Sequence, residues 1–266
     1  MKHPVFDSAW PDEIIALYNH DMQEIWDPTI SPHIWNQYHN QLELYFSFAP
    51  AVRQLDILDV GCAQATLGIL LAEMGHKVSV LDLRQEFLDY AATRYEHGDI
   101  RFIQGNVLKL DWETKFDLIF ANQIIEHLVY PLEMINRLKN LLKPGGRLVI
   151  TTPNGHYVKN ALPCFTELGD PVQWEDKQFT ADGDGHFYAY YGDELRELFV
   201  QAGFAENDIN MQYFETPWIS GHMKIRYLHG FVSGRILKKM DNIFLRIPLV
   251  AERLTHQLLI TGTIAL

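Results

Sequence analysis

The sequence predicts an α/β fold in which a mostly parallel sheet carries helices on both faces. Short runs of aliphatic residues recur through the middle of the chain, beginning with "LDILDV" at 55–60. Segments with a helical repeat of apolar residues separate these runs, as at Leu67, Leu70, Leu71 and Met74. Parallel strands joined by crossover helices produce this alternation, because their sheet is covered on both faces.

The predicted elements follow one another in a regular order. The first fifty residues predict two aromatic-rich helices, which the prolines of "DPTISP" separate. A helix is predicted to begin at Pro131 and to end before a "KPGG" turn at 143–146. Further strands are predicted at 77–83, 100–106, 116–122, 147–153, before residue 213 and in the last apolar run, 258–266, with further helices around 88–95 and 195–202.

Length and charge narrow the class of protein. A chain of 266 residues, 47% of them hydrophobic, can bury one full-sized core. The net charge of −12 argues against a nucleic-acid partner, because that surface would have to be basic. Cys62 and Cys164 are too few for a disulfide framework, and neither a secretory signal nor a membrane span is expected. A cytoplasmic location is therefore predicted.

The turn after the first strand is where a nucleotide cofactor is expected. A dinucleotide turn carries glycine at its first, third and sixth positions, so that the backbone approaches the diphosphate. Here these positions are Gly61, Ala63 and Thr66, so two side chains would crowd a diphosphate. A cofactor without phosphate makes a weaker demand, which alanine meets if its φ stays negative.

Two more polar side chains follow strands at the same edge of the predicted sheet. Asp82 ends the second strand about twenty residues after the turn, the spacing expected of an acid that binds ribose hydroxyls. Asn106 follows the third strand, where it would bond an adenine amino group. These features fit S-adenosylmethionine, which has an adenosine, a sulfonium and an amino-acid tail. Taken singly, Asp59 is as readily a turn-forming acid and Asp82 a helix N-cap.

Five segments in this order resemble the motifs of class I S-adenosylmethionine-dependent methyltransferases: "LDVGCAQATLG", "LDL", "QGNV", "FDLIFANQIIEHLVYP" and "LLKPGGRLVITTPNG". The last two are similar to the branch with the ubiquinone-pathway O-methyltransferases and many sugar and natural-product methyltransferases. The resemblance covers 50–155 closely and 186–205 loosely. It departs from the family pattern at Ala65, usually glycine, and Asn106, usually aspartate.

The resemblance implies a Rossmann-like seven-stranded sheet and a role for each residue at the strand ends. Asp59 is expected near the ammonium group of the methionine tail. The implied cofactor-binding residues are Asp59, Gly61 and Ala63 for the tail, Asp82 and Leu83 for the ribose and the adenine edge, Asn106 and Val107 for adenine, and Ala121 and Asn122 for the sulfonium side.

The segment after the fourth strand carries the candidates for acid–base catalysis, because an oxygen nucleophile needs a base to remove its proton. Gln123, Glu126 and His127 are predicted to share one helical face, and His127 is the first choice for the base. Alternatively, Glu126 and His127 only brace the local turn. His186 is the second candidate, as a base or an acceptor contact. Some relatives bind a divalent metal with two acids and a histidine at this spacing; Gln123 replaces the first acid, so no metal site is expected.

The remaining segments are expected to form a helical, aromatic cap around the acceptor. The predicted domains are a helical cap at 1–50, a Rossmann-like core at 51–212 with an acceptor loop at 154–191, a basic cap insertion at 213–255 and a final core strand at 256–266. Aromatic side chains there predict a flat or sugar-like acceptor, although about half of them are expected to be internal packing. They are Trp26, Trp35, Tyr38, Tyr157, Trp174, Tyr188, Tyr190 and Trp218.

Residues 224–253 carry seven basic residues and only two acidic ones. In so acidic a chain, this predicts either attraction of an anionic acceptor or peripheral contact with a membrane; a solvated cap helix explains it equally well. The predicted function is S-adenosylmethionine-dependent O-methylation of a small-molecule, sugar or glycan acceptor. The alternatives are a catalytically silent adenosyl-binding module of the same fold and, less favoured, a nicotinamide oxidoreductase.

Overall fold

The computed structural model describes residues 1–177, 186–215, 217–221 and 225–265. Two compact units make up the chain: Met1–Lys109 with Glu215–Ile243, and Leu110–Phe214 with Phe244–Leu266. The predicted division into cap, core and insertion does not follow these units and stays a prediction. Lys224 of the basic segment and the "DGDG" that precedes His186 lie outside the described residues.

Seven strands form the sheet. They are β1 Asp56–Val60, β2 Lys77–Asp82, β3 Asp99–Gln104, β4 Phe116–Asn122, β5 Leu142–Pro153, β6 Ile209–Phe214 and β7 Gln257–Thr263. Their order is β3-β2-β1-β4-β5-β7-β6. β1, β2 and β3 pair in parallel, as do β4 and β5, whereas β7 is antiparallel to both β5 and β6. The predicted α/β fold with a mostly parallel, seven-stranded sheet is confirmed.

The first unit packs helices around β1, β2 and β3. Gly68 brings one of these helices close to β2, since a Cβ at this position would lie 2.3 Å from Cγ1 of Val80. The two predicted N-terminal helices are present, and the first continues into a π-helical turn, Met22–Trp26. The α-helices of this unit are α1 Asp12–Asp21, α2 Pro32–Phe48, α3 Thr66–Glu73 and α4 Gln85–Arg94, followed later in the chain by α7 Pro217–Ser220 and α8 Gly234–Phe244.

The second unit surrounds β4, β5, β7 and β6. Its helices are α5 Pro131–Asn140, α6 Gly192–Gln201 and α9 Pro248–Leu254. Gly262 of β7 lets Phe199 and Phe204 pack against the sheet, because a Cβ there would lie within 2.9 Å of either ring. The predicted "KPGG" turn is wrong: these residues belong to β5, whose register against β4 shifts between Phe116 and Leu118. The irregular pairing accommodates Gly145, which has a φ of +74°.

Within the described part of the chain, no helix is both long and apolar enough to cross a bilayer. The two cysteines, Cys62 and Cys164, are free thiols.

Candidate active site

The turn after β1 follows a backbone path that glycine favours. Gly61 has a φ of +64° and donates to the carbonyl of Leu81 at 2.7 Å, which ties the turn to the end of β2. Ala63 and Ala65 have φ values of +46° and +53°, so the condition of a negative φ is not met at these alanines. A left-handed conformation costs an L-residue about 1–2 kcal/mol. The turn therefore keeps the glycine-like geometry in spite of its side chains.

Asp82 holds this strained turn in place. It is 5% exposed at the end of β2, where Oδ2 accepts from the backbone N–H of Ala63 at 2.9 Å and Oδ1 accepts from that of Arg84 at 3.0 Å. The interpretation of Asp82 as a helix N-cap is wrong, because Arg84 is the N-cap of α4. A carboxylate offers about four acceptor sites. Asp82 therefore retains acceptor capacity for hydroxyl donors.

Asp59 is a second carboxyl group at the same turn. Its side chain is 4% exposed and is hydrogen-bonded by the backbone N–H of Gly68. Burial, together with the negative charge of Asp82, raises the pKa of Asp59 to about 7. A cation would relieve this repulsion, whereas a diphosphate would add to it. The carboxyl groups of Asp59 and Asp82 therefore fit a ligand with an ammonium or sulfonium group better than they fit a dinucleotide.

The ends of β2 and β3 supply the positions assigned to the adenine. Leu83 is 45% exposed and offers an apolar surface, while Val107 is 8% exposed. Asn106 closes a local turn, since its Oδ1 accepts from the backbone N–H of Leu108 at 2.9 Å. A carbonyl oxygen accepts two hydrogen bonds, so this oxygen can still accept one from an adenine amino group.

Ala121 and Asn122 lie at the end of β4, in the second unit. Ala121 is fully buried in the sheet. Asn122 is half-buried, and its Oδ1 accepts from the hydroxyl of Thr151 at 3.2 Å. Asn122 thus offers a polar side chain at this strand end, whereas Ala121 offers only a small one.

Glu126, His127 and His186 come together in the second unit, as one cluster. Each offers a ligating atom, and these atoms lie within 4.8 Å of one another. The rings of His127 and His186 meet edge to face with centroids 4.8 Å apart, and Nε2 of His186 lies 4.0 Å from Oε1 of Glu126. The predicted helical face is wrong, because Gln123 is left-handed at φ +53° and only a 3-10 turn, Ile125–His127, follows.

Backbone and tyrosine hydrogen bonds hold His186 beside this turn. The N–H of Phe187 donates to the carbonyl of Glu126 at 3.0 Å. Tyr188 donates to the carbonyl of Leu128, and Tyr190 donates to that of Ile125 at 3.3 Å. Both tyrosines are fully buried, so they belong to the aromatic side chains that pack internally, as expected of about half of the set. Their hydroxyl groups fix the backbone of the 3-10 turn that carries Glu126 and His127.

Glu126 is the buried member of the cluster. It is fully buried, burial raises its pKa to about 8, and Oε2 accepts from the hydroxyl of Thr152 at 3.1 Å. With its amide oriented to satisfy both ends, Gln123 donates to Oε1 of Glu126 at 3.2 Å. A hydrogen-bond donor thus occupies the position where metal-binding relatives have an acid. The expectation that no metal binds here stays a prediction.

Glu24 was missed by the sequence analysis. It lies in the π-helical turn, and its Oε2 accepts from the side chain of Gln64, inside the cofactor turn, at 2.9 Å. Burial and the nearby charge of Asp21 raise the pKa of Glu24 to about 8. Sequence periodicity could not reveal this contact, because forty residues separate its partners. Single π-helical turns are frequent at functional sites.

The fold and this arrangement of carboxylates agree with the comparison to protein families. A family model described as a methyltransferase domain matches residues 52–203, more than half of the chain. The chain belongs to this family.

Similarity to individual proteins extends this result. The ubiquinone biosynthesis O-methyltransferase of Xanthomonas euvesicatoria is 32% identical over 182 residues, which are 65% of this chain and 73% of that protein. That of Rickettsia akari is 28% identical over 103 residues, and the alignment spans only 41% of its length. A phosphoethanolamine N-methyltransferase of Haemonchus contortus, solved with S-adenosylhomocysteine, has a TM-score of 0.60 at 18% identity, over 97% of this chain and 59% of that one. The structural likeness shows the class I fold.

Proposed function

We propose that this protein transfers the methyl group of S-adenosylmethionine to a hydroxyl oxygen of a flat or sugar-like small-molecule acceptor. The observation that carries the proposal is Asp82, whose buried carboxylate joins the end of β2 to the glycine-like turn. The Xanthomonas and Rickettsia relatives, named as O-methyltransferases, support an oxygen nucleophile.

The first unit supplies the groups assigned to the adenosine and the methionine tail. S-adenosylmethionine, when bound, provides an electrophilic methyl group and a neutral thioether leaving group. Asp82 accepts hydrogen bonds from the ribose hydroxyls, and Leu83 packs on the adenine. Asp59 and Glu24 receive the positive charge of the methionine tail. These contacts hold the donor in one orientation, and positioning is the main contribution a protein makes to such a displacement.

The second unit supplies the proton chemistry. His127 takes the proton of the acceptor hydroxyl, because an imidazole is half-protonated near neutral pH. Glu126 and His186 are positioning residues, because their side chains lie beside that of His127. The acceptor is then released as its methyl ether.

Calorimetry with S-adenosylmethionine, S-adenosylhomocysteine and NAD tests the proposal. Binding of both adenosyl ligands and not of NAD is expected, together with methyl transfer to at least one member of a panel of catechols, sugars and sugar phosphates. Binding without any transfer would favour a catalytically silent module. Binding of NAD alone would favour an oxidoreductase.

Replacing Asp82 with alanine is expected to weaken S-adenosylhomocysteine binding by about 1–3 kcal/mol, the cost of leaving polar partners unpaired. 5′-Methylthioadenosine, which shares the ribose, should lose as much. Calorimetry of Asp82→Ala beside the exposed control Asp89→Ala measures both effects, and a melting curve checks the turn. Unchanged affinity in a folded variant would remove Asp82 from the donor site.

Replacing Glu24 with glutamine is expected to weaken S-adenosylhomocysteine binding about tenfold or more, because a charge-assisted hydrogen bond to the ammonium group is lost. 5′-Methylthioadenosine has no amino-acid tail, so its affinity should stay within about twofold. Since the pKa of Glu24 is raised to about 8, binding at pH 7 should also release a proton.

Calorimetry in two buffers of different ionisation enthalpy measures that release. Glu43→Gln is the matched control, since Glu43 pairs with Lys238 at the surface. Equal losses for both ligands in Glu24→Gln would mean that Glu24 only supports the turn.

A further inference from the structure

α8 has one buried and one exposed face. Leu237 and Asp241 are buried, and Asp241 accepts from the backbone N–H of Ile219 at 2.7 Å. Lys238 forms an ion pair with Glu43 of α2. One face of α8 is thereby fixed to the rest of the first unit.

The opposite face of α8 is exposed and apolar. Ile236 and Ile243 are 54% and 63% exposed, and they lie two helical turns apart on the side away from Leu237. Phe231, three residues before the helix, is 88% exposed, and Tyr227 is 64% exposed. Four large exposed apolar side chains thus fall within residues 227–243, and exposed apolar side chains that cluster mark an interaction site more often than isolated ones do.

Basic residues accompany these apolar side chains. Residues 225–240 hold four basic residues and no acidic one, in a chain whose net charge is −12. Of these, Arg226, Arg235 and Lys239 are exposed, and Lys239 lies between Ile236 and Ile243 on the helix face. The charge reversal and the apolar face therefore coincide.

We propose that the exposed face of α8, with Phe231 and Tyr227, docks on the surface of an anionic phospholipid membrane. An interfacial helix buries its apolar side chains among the acyl chains while its lysines and arginines meet the lipid phosphates. A symmetric dimer of this chain would place the basic face of one copy against the same basic face of the other. The charge of this face therefore favours an anionic lipid surface over a second copy of the chain. The acidic remainder of the chain is repelled by the same lipids, so the molecule binds in one orientation.

Flotation of the full chain with vesicles tests this docking surface. Binding is expected to vesicles that mix phosphatidylglycerol with phosphatidylcholine, and to fall strongly on phosphatidylcholine alone or at high salt. The variant F231S/I236S/I243S should bind about tenfold more weakly or worse. The variant R235Q/K239Q should bind about twenty-five-fold more weakly, given about fivefold for each basic residue near the surface.

Val52→Ser and Arg101→Gln are the controls, since both residues are exposed elsewhere in the first unit. These substitutions should leave vesicle binding unchanged, and S-adenosylhomocysteine affinity should be unaffected in every variant. The proposal is overturned if the wild-type chain ignores anionic vesicles or if the variants bind as well as it does. It is also overturned if the substitutions change only the oligomeric state in size-exclusion chromatography. Docking and donor binding are measured separately, so either can fail alone.

Discussion

Replacing Arg94 with leucine is expected to lower the free energy of unfolding by about 3–5 kcal/mol, the usual effect of removing one partner of a buried ion pair. Arg94 and Asp21 are both fully buried, and Nη2 of Arg94 lies 2.5 Å from Oδ1 of Asp21. The substitution leaves the carboxylate of Asp21 without its counter-charge. Urea unfolding at pH 7 measures the loss.

The loss should depend on pH in a defined direction. Burial already raises the pKa of Asp21 and the charge of Arg94 opposes this rise, so removing Arg94 raises the pKa further. Above the pKa of an unfolded aspartate, about 3.9, the folded variant then binds more protons than its unfolded chain. Its stability therefore falls as pH rises from about 4 towards the folded pKa. The difference from the wild type should be smaller at pH 5 than at pH 7.

The double variant D21N/R94L controls for the stranded charge. It removes both charges and should recover part of the lost stability, because the cost comes from the unpaired carboxylate and not from the missing pair. A loss in Arg94→Leu of under 1 kcal/mol, the range of surface ion pairs, or no recovery in the double variant, would contradict this account.

Arg94 also links stability to the donor site. It donates to the carbonyl of Gln64 at 2.6 Å and to the hydroxyl of Thr66 at 2.8 Å, so it holds the end of the cofactor turn and the start of α3. Asp21 in turn accepts from Tyr90 and Trp26, both at 2.9 Å. The N-terminal helix is thus joined to the cofactor turn by buried polar groups.

The sequence predicts the elements of this fold well where burial controls the pattern. β4 spans the predicted 116–122 and β1 begins one residue later than predicted, because a strand covered on both faces must be apolar along its length. The prediction fails where local backbone geometry dominates. The helix predicted at 123–127 is absent, because Gln123 adopts a left-handed conformation. The predicted "KPGG" turn is instead part of a strand, whose register shifts at this point.

The features of the candidate site also divide into those that the sequence predicts and those that it does not. The sequence predicts the place of Asp82 at the end of β2, because ribose-binding acids have a characteristic distance from the turn along the chain. Its role in binding ribose stays a prediction. Glu24 and the Asp21–Arg94 pair were not predicted, since their partners are forty or more residues away and helical periodicity carries no information on such contacts. The positive φ values of Ala63 and Ala65 were not predicted either, because alanine, unlike glycine, does not indicate a left-handed backbone conformation.

Replacing His127 with alanine is expected to lower kcat about a hundredfold or more, while S-adenosylhomocysteine affinity stays within about twofold. A general base contributes to the chemical step, and the groups assigned to the adenosine and the methionine tail lie in other segments of the chain. The measurement is methyl transfer to the best acceptor of the panel, with calorimetry on the same preparation. Full activity would dismiss His127 as the base.

Parallel variants of His186 and Glu126 separate a base from its supports. If His127 is the base, His186→Ala and Glu126→Gln should lower kcat less than His127→Ala does. Both should shift the pH at which turnover is half-maximal, because Nε2 of His186 lies 4.0 Å from Oε1 of Glu126 and the pKa of Glu126 is raised to about 8. A larger loss in His186→Ala than in His127→Ala would transfer the role of base to His186. A chelator tests whether Glu126, His127 and His186 hold a catalytic metal ion, because removal of that ion would abolish turnover. A proton-transfer cluster, in which Gln123 donates to Glu126, is unaffected by a chelator.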